Sequence, residues 1–163
     1  MKPILPNTAQ SGAVRARETE RPESVLRGFP AGSTLLTQSG ELPIEFVTIG
    51  DKAITRDFGL STITAIEHFT VTGPAVHLRG GILGHSRPEK DLLLPADQLV
   101  LLRDWRATAL FGCKEVMLPV RRLVDGEFIT LRRNEEMSLF SIELAAGNIV
   151  YADGLEIGLT DPT

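Results

Sequence analysis

Short apolar runs, rich in β-branched residues, alternate with turn residues through most of the chain. From residue 28 onward the runs are separated by pairs typical of turns, which are Ser39-Gly40, Gly50-Asp51, Gly73-Pro74, Asp125-Gly126 and Gly147-Asn148. Several runs alternate apolar with polar positions, as half-buried strands do. We predict strands over residues 44–49, 61–71, 75–79, 98–102, 127–132, 138–144 and 148–152. Short strands at this spacing predict an all-β fold.

Two segments carry helical rather than extended signals. Residues 104–111 begin at Asp104, a suitable N-cap, and are followed by Gly112, which favours the left-handed conformation that ends helices. Residues 120–124 are long enough for one helical turn before Asp125-Gly126, a pair typical of tight turns. Neither segment can define a fold. We therefore predict a compact, mainly β domain of many short strands with one or two short helical turns.

The first 27 residues differ in character from the remainder. They contain no aromatic residue, several prolines and a mixed-charge run over residues 15–23. A segment with so few core-forming side chains cannot offset the entropy lost on ordering. We predict a flexible leader over residues 1–27, a domain over residues 28–158 and a short tail over residues 159–163.

Composition narrows the classes of function. The 163 residues suit one domain, and the 42% apolar and 23% charged fractions are those of a globular protein. A net charge of -4 argues against binding nucleic acid through bulk charge. No apolar run approaches the roughly 18 residues of a membrane span, and the N-terminus lacks a signal peptide's apolar region. With a single cysteine, these features predict a cytoplasmic protein without a membrane or nucleic-acid partner.

The histidines and glycines give weak signals for metal or nucleotide binding. His68, His77 and His85 lack the spacing of a metal site, which needs two or three converging ligands. We interpret them as surface or hydrogen-bonded residues and expect no metal and no cofactor. The glycine-rich segment 80–84 does not match a phosphate-binding pattern, so a backbone bend is the better interpretation.

Cys113 and Asp97 are open candidates for chemistry. The neighbouring Lys114 would lower the pKa of the Cys113 thiol, whereas most lone cysteines pack or are inert. Asp97 directly precedes an apolar strand. Burial there would raise the pKa of its carboxyl, and a place at the strand's edge would leave it facing water. The sequence leaves both alternatives open.

Five segments, taken together in this order, resemble the Hint module shared by Hedgehog autoprocessing domains and inteins. Residues 28–37 resemble the opening Cys-Phe-x-x-Gly-Thr, and residues 43–55 resemble the following Pro-Val-Glu-x-Leu-x-x-Gly-Asp hairpin. Residues 91–101, 118–126 and 149–155 resemble the Thr/Ser-Pro-x-His strand, the Val-Pro-Ala-x-x-Leu-x-Asp-Gly segment and the closing strand. The similarity is greatest to the bacterial Hedgehog/intein-type domains. It implies the Hint fold.

The same resemblance implies that the self-cleavage machinery is missing. In the family, an initial Cys or Ser attacks the preceding peptide carbonyl, and a Thr-x-x-His element polarises and protonates the departing amide. The matching positions here are Gly28, Leu94 and Asp97, and Ser141 stands where the family often has a late histidine. Glycine and leucine offer no functional group, and aspartate donates a proton only if its pKa is strongly raised. Ser33, the nearest hydroxyl, matches the family's threonine.

The hypothesis we favour is a Hint-like domain that has lost self-cleavage and serves as a non-catalytic interaction or accessory module. No catalytic residue is then expected, and the partner would be an unidentified protein. Trp105, Phe111 and Met117 would form its partner face if exposed, although such residues more often fill a core. The oligomeric state is not predicted.

Two enzymatic hypotheses remain as alternatives. In the first, the domain is an active autoprocessing module with altered residues, in which Asp97 is the acid and Ser33 or Cys113 the nucleophile. In the second, it acts on another molecule through a pocket lined by Asp97, by His68 or His77 and by Arg79. Both require these side chains to lie within hydrogen-bond range of one another.

Overall fold

Antiparallel β-strands make up most of the protein. The computed structural model describes residues 25–160, so most of the predicted leader and the last three residues of the tail lie outside the described residues. Within that range the strands are β1 (Phe29–Pro30), β2 (Thr34–Thr37), β3 (Gly40–Pro43), β4 (Lys52–Thr55), β5 (Gly59–Leu78), β6 (Leu92–Pro95), β7 (Leu99–Leu102), β8 (Val116–Pro119), β9 (Ile129–Leu144), β10 (Ile149–Ala152) and β11 (Leu155–Gly158). Their pairings connect into one eleven-stranded sheet, which confirms the all-β prediction.

The longest element is a ribbon formed by β5 and β9. The two strands pair antiparallel from Ile63 opposite Leu144 to Leu78 opposite Ile129, with register shifts near both ends of the exposed middle. One end of β5 also pairs with β4, and the other end with β6. Strand β5 therefore pairs with three other strands, β4, β6 and β9.

The prediction that residues 61–71 and 75–79 form separate strands is wrong. Gly73-Pro74 is a bulge inside β5, where the register shifts between Gly73 and Ala75. Proline has no N–H to donate to the hydrogen bonds between paired strands. A bulge accommodates a residue without this donor, as a turn also does. The prediction of separate strands over residues 127–132 and 138–144 is also wrong, because Ile129–Leu144 is the single strand β9. Its charged middle is exposed and still paired.

The predicted strand over residues 44–49 is also wrong. Ile44–Phe46 is a 3-10 turn, and the chain turns again near Gly50. Ile44 and Val47 are buried, whereas Phe46 is 70% exposed. A buried residue every third position suits a helical turn rather than the two-residue alternation of a strand.

Both helical predictions are confirmed. The helix α1 (Trp105–Phe111) begins after Asp104, whose carboxylate accepts a hydrogen bond from the Arg106 N–H, and it ends at Gly112 with a φ of 71°. Val120–Leu123 forms the second 3-10 turn. No helix among residues 25–160 has the length and apolar character needed to cross a bilayer.

The predicted turn at Asp125-Gly126 leads from the second 3-10 turn into β9 instead of joining two strands. The Asp125 carboxylate accepts hydrogen bonds from the backbone N–H groups of Glu127, Phe128 and Ile129. Burial acts to raise the pKa of this carboxyl, but the three N–H donors favour the charged form and the net pKa is lowered. The turn is thus built by one side chain that replaces missing backbone partners.

Two apolar clusters lie on the sheet. The larger one contains buried residues from β2, β5, β7, β10 and β11. The smaller one consists of Ala75, Met137 and Leu139, and Leu26 packs against it. Leu26 belongs to the predicted leader, so the end of that segment lies against the domain where β1 begins.

A buried carboxylate on an interior strand of the sheet holds three arginines together. Glu156 on β11 is 4% exposed. Its oxygens lie 2.6 Å from Arg103 Nε, 2.9 Å from Arg56 Nε and 3.5 Å from Arg87 Nη2. Burial lowers the pKa of Arg87, and the nearby Arg103 lowers it further, although Glu156 opposes both effects.

Replacement of Glu156 by glutamine is expected to destabilise the fold strongly. The variant Glu156→Gln leaves three arginines without their shared anion, which costs about 3 kcal/mol of unfolding free energy. The control is Glu115→Gln, because the Arg56–Glu115 pair is exposed, and it should cost less than about 1 kcal/mol. Urea unfolding of the two variants measures both values. Equal midpoints would contradict a structural role for the buried cluster.

Candidate functional site

The first strand is preceded by a glycine in a conformation that other residues rarely adopt. Gly28 has a φ of 148° and is buried against β9. A Cβ atom at this position would lie 3.0 Å from Leu139 Cβ and 3.2 Å from the Phe140 carbonyl oxygen. Any side chain here meets both backbone strain and crowding.

Gln98 binds the backbone on both sides of the site. Its Oε1 accepts a hydrogen bond of 2.8 Å from the Gly28 N–H. Its Nε2 donates to the Gly158 carbonyl at 2.9 Å and to the Leu99 carbonyl at 3.2 Å. The side chain is buried, at 3% exposure. One amide thus joins the beginning of the domain to the end of β11.

Asp97 accepts hydrogen bonds from the segment that leads into β1. Its Oδ2 accepts from the Leu26 N–H at 3.0 Å, and its main-chain oxygen accepts from Arg27 Nε at 3.0 Å. Its Oδ1 lies 2.6 Å from Arg121 Nη2. The half-buried carboxylate therefore faces an arginine and a backbone donor, an arrangement that neither sequence alternative described.

The positions that resemble the family's motifs do meet in space. A pocket of about 50 Å³ is lined by Arg27, Gly28, Gln98 and Ser141, among others. A narrow crevice beside it is lined by Gly28, Ser33, Leu94 and Asp153, together with Phe29, Leu92, Gln98, Ala152 and Ile157. The resemblance of scattered segments thus corresponds to one place in the fold.

Ser33 is buried in that crevice without a hydrogen-bond partner. Its residue exposure is 4%, and its Oγ contacts no donor or acceptor within hydrogen-bond range among the described residues. A serine nucleophile needs a base to take its proton. The structure supplies none at Ser33.

The remaining candidates lie elsewhere, each with its own contacts. Cys113 follows α1, is exposed, and donates to the Phe111 carbonyl. His68 stacks on Phe140 with ring centroids 4.3 Å apart, and its Nε2 is 2.6 Å from Ser138 Oγ.

His77 lies 3.6 Å from an Asp91 oxygen, and Arg79 lies over the Phe128 ring. His85 is exposed in the loop before β6. None of the hydrogen bonds or ion pairs described joins Asp97 to His68, His77 or Arg79, so the structure does not bring together the pocket proposed for a trans-acting enzyme. No three His, Cys, Asp or Glu side chains within residues 25–160 converge as a metal site.

Gln98 is the residue at this site that sequence reasoning did not single out. The one sequence feature that could have indicated its role is that Gln98 is a polar residue inside the apolar stretch 92–102. A buried polar side chain requires hydrogen-bond partners. Its partners are 70 and 60 residues away, so the sequence does not show which groups they are.

Comparisons with known proteins identify the class to which this fold and site belong. The solution structure of a bacterial intein-like domain from Clostridium thermocellum is 17% identical, with a TM-score of 0.56 over 83% of this chain and 99% of that one. The MchDnaB-1 intein is 13% identical, with a TM-score of 0.53 over 79% of this chain and 98% of that one. A variant of the gp41-1 intein is 11% identical, with a TM-score of 0.54 over 82% and 99%. These similarities show an intein-like fold.

The family follows from the sequence match. The model of the Hint domain family matches residues 27–158, so the chain belongs to that family. The resemblance stated from its motifs is thereby confirmed. No curated protein sequence matches the chain as a relative.

Replacement of Ser33 by alanine is expected to stabilise the protein. The variant Ser33→Ala removes a buried hydroxyl that has no partner and leaves the backbone bonds of residue 33 in place, so the unfolding free energy should rise by about 1 kcal/mol. Thr37→Ala is the control, because the Thr37 hydroxyl donates to the Gly40 carbonyl at 2.8 Å, and its loss should destabilise. Thermal unfolding of both variants provides the measurement. A lower midpoint for Ser33→Ala would show that the hydroxyl has a partner in solution.

Proposed function

We propose that this Hint domain does not cleave its own chain and serves as a non-catalytic interaction or accessory module. The observation that carries the proposal is Gly28. It occupies the position at which the family resemblance places the nucleophile, and a Cβ atom there would lie 3.0 Å from Leu139 Cβ. Residue 28 therefore offers no nucleophile, and a side chain there has no room without movement of β9.

The hydrogen bonding of the Gly28 amide also supports the proposal. Cleavage before Gly28 requires a proton on the departing nitrogen. That nitrogen donates its own hydrogen to Gln98 Oε1, an atom that can only accept. Asp97 is engaged with Arg121 and with the Leu26 N–H, also as an acceptor. The groups that face residues 26–28 stabilise the uncut backbone.

Autoprocessing with altered residues has less support. The Ser33 hydroxyl touches no base, and Cys113 lines neither the pocket nor the crevice around Gly28. Cleavage through either group would need a rearrangement of the site. The single exposed thiol is consistent with a reducing compartment such as the bacterial cytoplasm, where we place the module.

Intact mass spectrometry of the freshly expressed, untagged chain tests the loss of cleavage. We expect one full-length species, allowing for removal of Met1, with and without dithiothreitol or hydroxylamine. The variant Gly28→Cys should also remain uncut, because crowding and a φ of 148° disfavour a thiol in position to attack.

Gly32→Cys is the matched control for crowding, because Gly32 also has a positive φ, of 92°, whereas a Cβ there meets nothing within 4 Å. Its thermal unfolding midpoint should lie above that of Gly28→Cys. A product that begins at Gly28, or a cut beside Ser33, would overturn the proposal. Single variants of Asp97, Ser33 and Cys113 would then identify the active group.

An exposed groove beside α1, lined by both apolar and charged residues, supports the interaction role. Trp105 is 67% exposed, Leu110 is 61% exposed, and both line a groove of about 370 Å³ with Val124 and Phe128. Arg106 lies over the Trp105 ring, 4.8 Å from its centroid, in a cation–π contact. Apolar groups gathered on a monomer's surface commonly mark a binding site.

The face differs from the one predicted from sequence. Trp105 belongs to it, whereas Phe111 and Met117 are half-buried. Met117 packs beside Gly158, since its Sδ lies 2.9 Å from where a Cβ of that glycine would be. The sequence did not single out Leu110, because one exposed leucine in a short helix carries no signal before the fold is known.

The double variant Trp105→Ala/Leu110→Ala tests whether the groove binds a protein. A partner captured by the wild-type chain from a lysate of its own cells should be lost from this variant and retained by Phe46→Ala/Ile49→Ala, which alters two exposed apolar residues elsewhere. Wild-type binding should also change the fluorescence of Trp105, the protein's one tryptophan. Equal capture by all three chains would exclude the groove.

A further inference from the structure

A cavity separate from the groove beside α1 lies between the β1–β2 loop, the start of β6 and the middle of β9. Its volume is about 400 Å³, within the range of small-molecule sites. Apolar lining is provided by Leu92, Leu93 and Met137. Ser33 and Asp153 line both this cavity and the narrow crevice beside Gly28.

Two buried polar groups are among the residues that line the cavity. One is the Ser33 hydroxyl, which has no hydrogen-bond partner in the part of the chain that the structure describes. The other is Asp153, at 5% exposure, whose Oδ1 accepts from the Thr34 N–H and hydroxyl. No lysine, arginine or histidine forms an ion pair with Asp153 within the described residues. A buried carboxylate without a cation is costly.

The rim of the cavity adds further negative charge. Asp91 and Glu136 line it together with a single cation, Lys90. Asp91 already accepts from the Gly80 N–H and lies near His77, and Lys90 pairs with none of the carboxylates among residues 25–160. The lining of the cavity is therefore anionic overall, and it combines apolar side chains with the unpartnered Ser33 hydroxyl.

We propose that this cavity binds a primary ammonium group carried on a short alkyl chain. The ammonium has three donors and no acceptor, which suits the Asp153 carboxylate and a lone pair of Ser33 Oγ. The alkyl chain then lies along Leu92, Leu93 and Met137. The proposal goes beyond the proposed function and does not depend on whether the chain cleaves itself. Such a group occurs in free alkylamines and in lysine side chains.

Titration of the full-length chain with butylammonium chloride, followed by NMR at constant ionic strength, tests the site. We expect saturable shifts of the Ser33, Thr34 and Asp153 amides. n-Butanol has a chain of the same length without the charge, and sodium butyrate reverses the charge. Neither should saturate. Nα-acetyl-lysine amide distinguishes a lysine side chain from a free alkylamine as the source of the ammonium group. Saturable shifts of the same three amides would show that the cavity accepts a lysine side chain. No saturable shift would show that it accepts only the free amine.

The variant Asp153→Asn should weaken butylammonium binding about tenfold or more, because it removes the buried charge that the ammonium contacts. Asparagine tolerates the φ of 54° at this position and can still accept from Thr34, so the fold should persist. Glu136→Gln is the matched control and should weaken binding less, since Glu136 is exposed. Ser33→Ala should weaken it to an intermediate degree.

Three outcomes would overturn the inference. The first is the absence of saturable shifts up to the highest butylammonium concentration at which the protein stays folded. The second is equal saturation by n-butanol, which would mean that the cavity selects only for the apolar chain. The third is unchanged affinity in Asp153→Asn with a native spectrum.

Discussion

The hydrogen bonds of one buried amide organise the region on which the site depends. Gln98 accepts from the Gly28 N–H and donates to the Gly158 carbonyl, groups from opposite ends of the domain. A buried amide must satisfy its hydrogen bonds inside the protein, so these contacts specify where the chain lies as it enters β1. The Asp97 bond to the Leu26 N–H and the packing of Leu26 on the small apolar cluster act in the same direction.

Family membership and the proposed loss of self-cleavage are compatible because they depend on different parts of the molecule. The fold rests on the β5–β9 ribbon, the main core and the Glu156 cluster, none of which needs a nucleophile. Gly28 occupies a crowded point where a side chain has no space. A scaffold can therefore persist while the groups at its former reaction centre change to ones that bind intact backbone.

The sequence predicts what local interactions determine. Asp104 and Gly112 delimit α1 through contacts within a few residues, so their signals were sufficient. The Gly73-Pro74 pair gives the same local signal in a turn and in a bulge, and only pairing with β9 distinguishes the two. The role of Gln98 and the anionic cavity depend on groups far apart in the chain. The Thr34–Asp153 contact alone spans 119 residues.

Two polar groups near Gly28, Ser33 and Asp153, are energetically unfavourable, and self-cleavage does not account for them. Ser33 leaves a hydroxyl unsatisfied, and Asp153 holds a buried charge at a positive φ. Each is unfavourable in a domain whose net stability is of the order of ten kcal/mol. If both groups served only bond cleavage, they would have no use beside a glycine that cannot attack. A cationic ligand satisfies both at once, because it supplies donors to the hydroxyl and a counter-charge to the carboxylate.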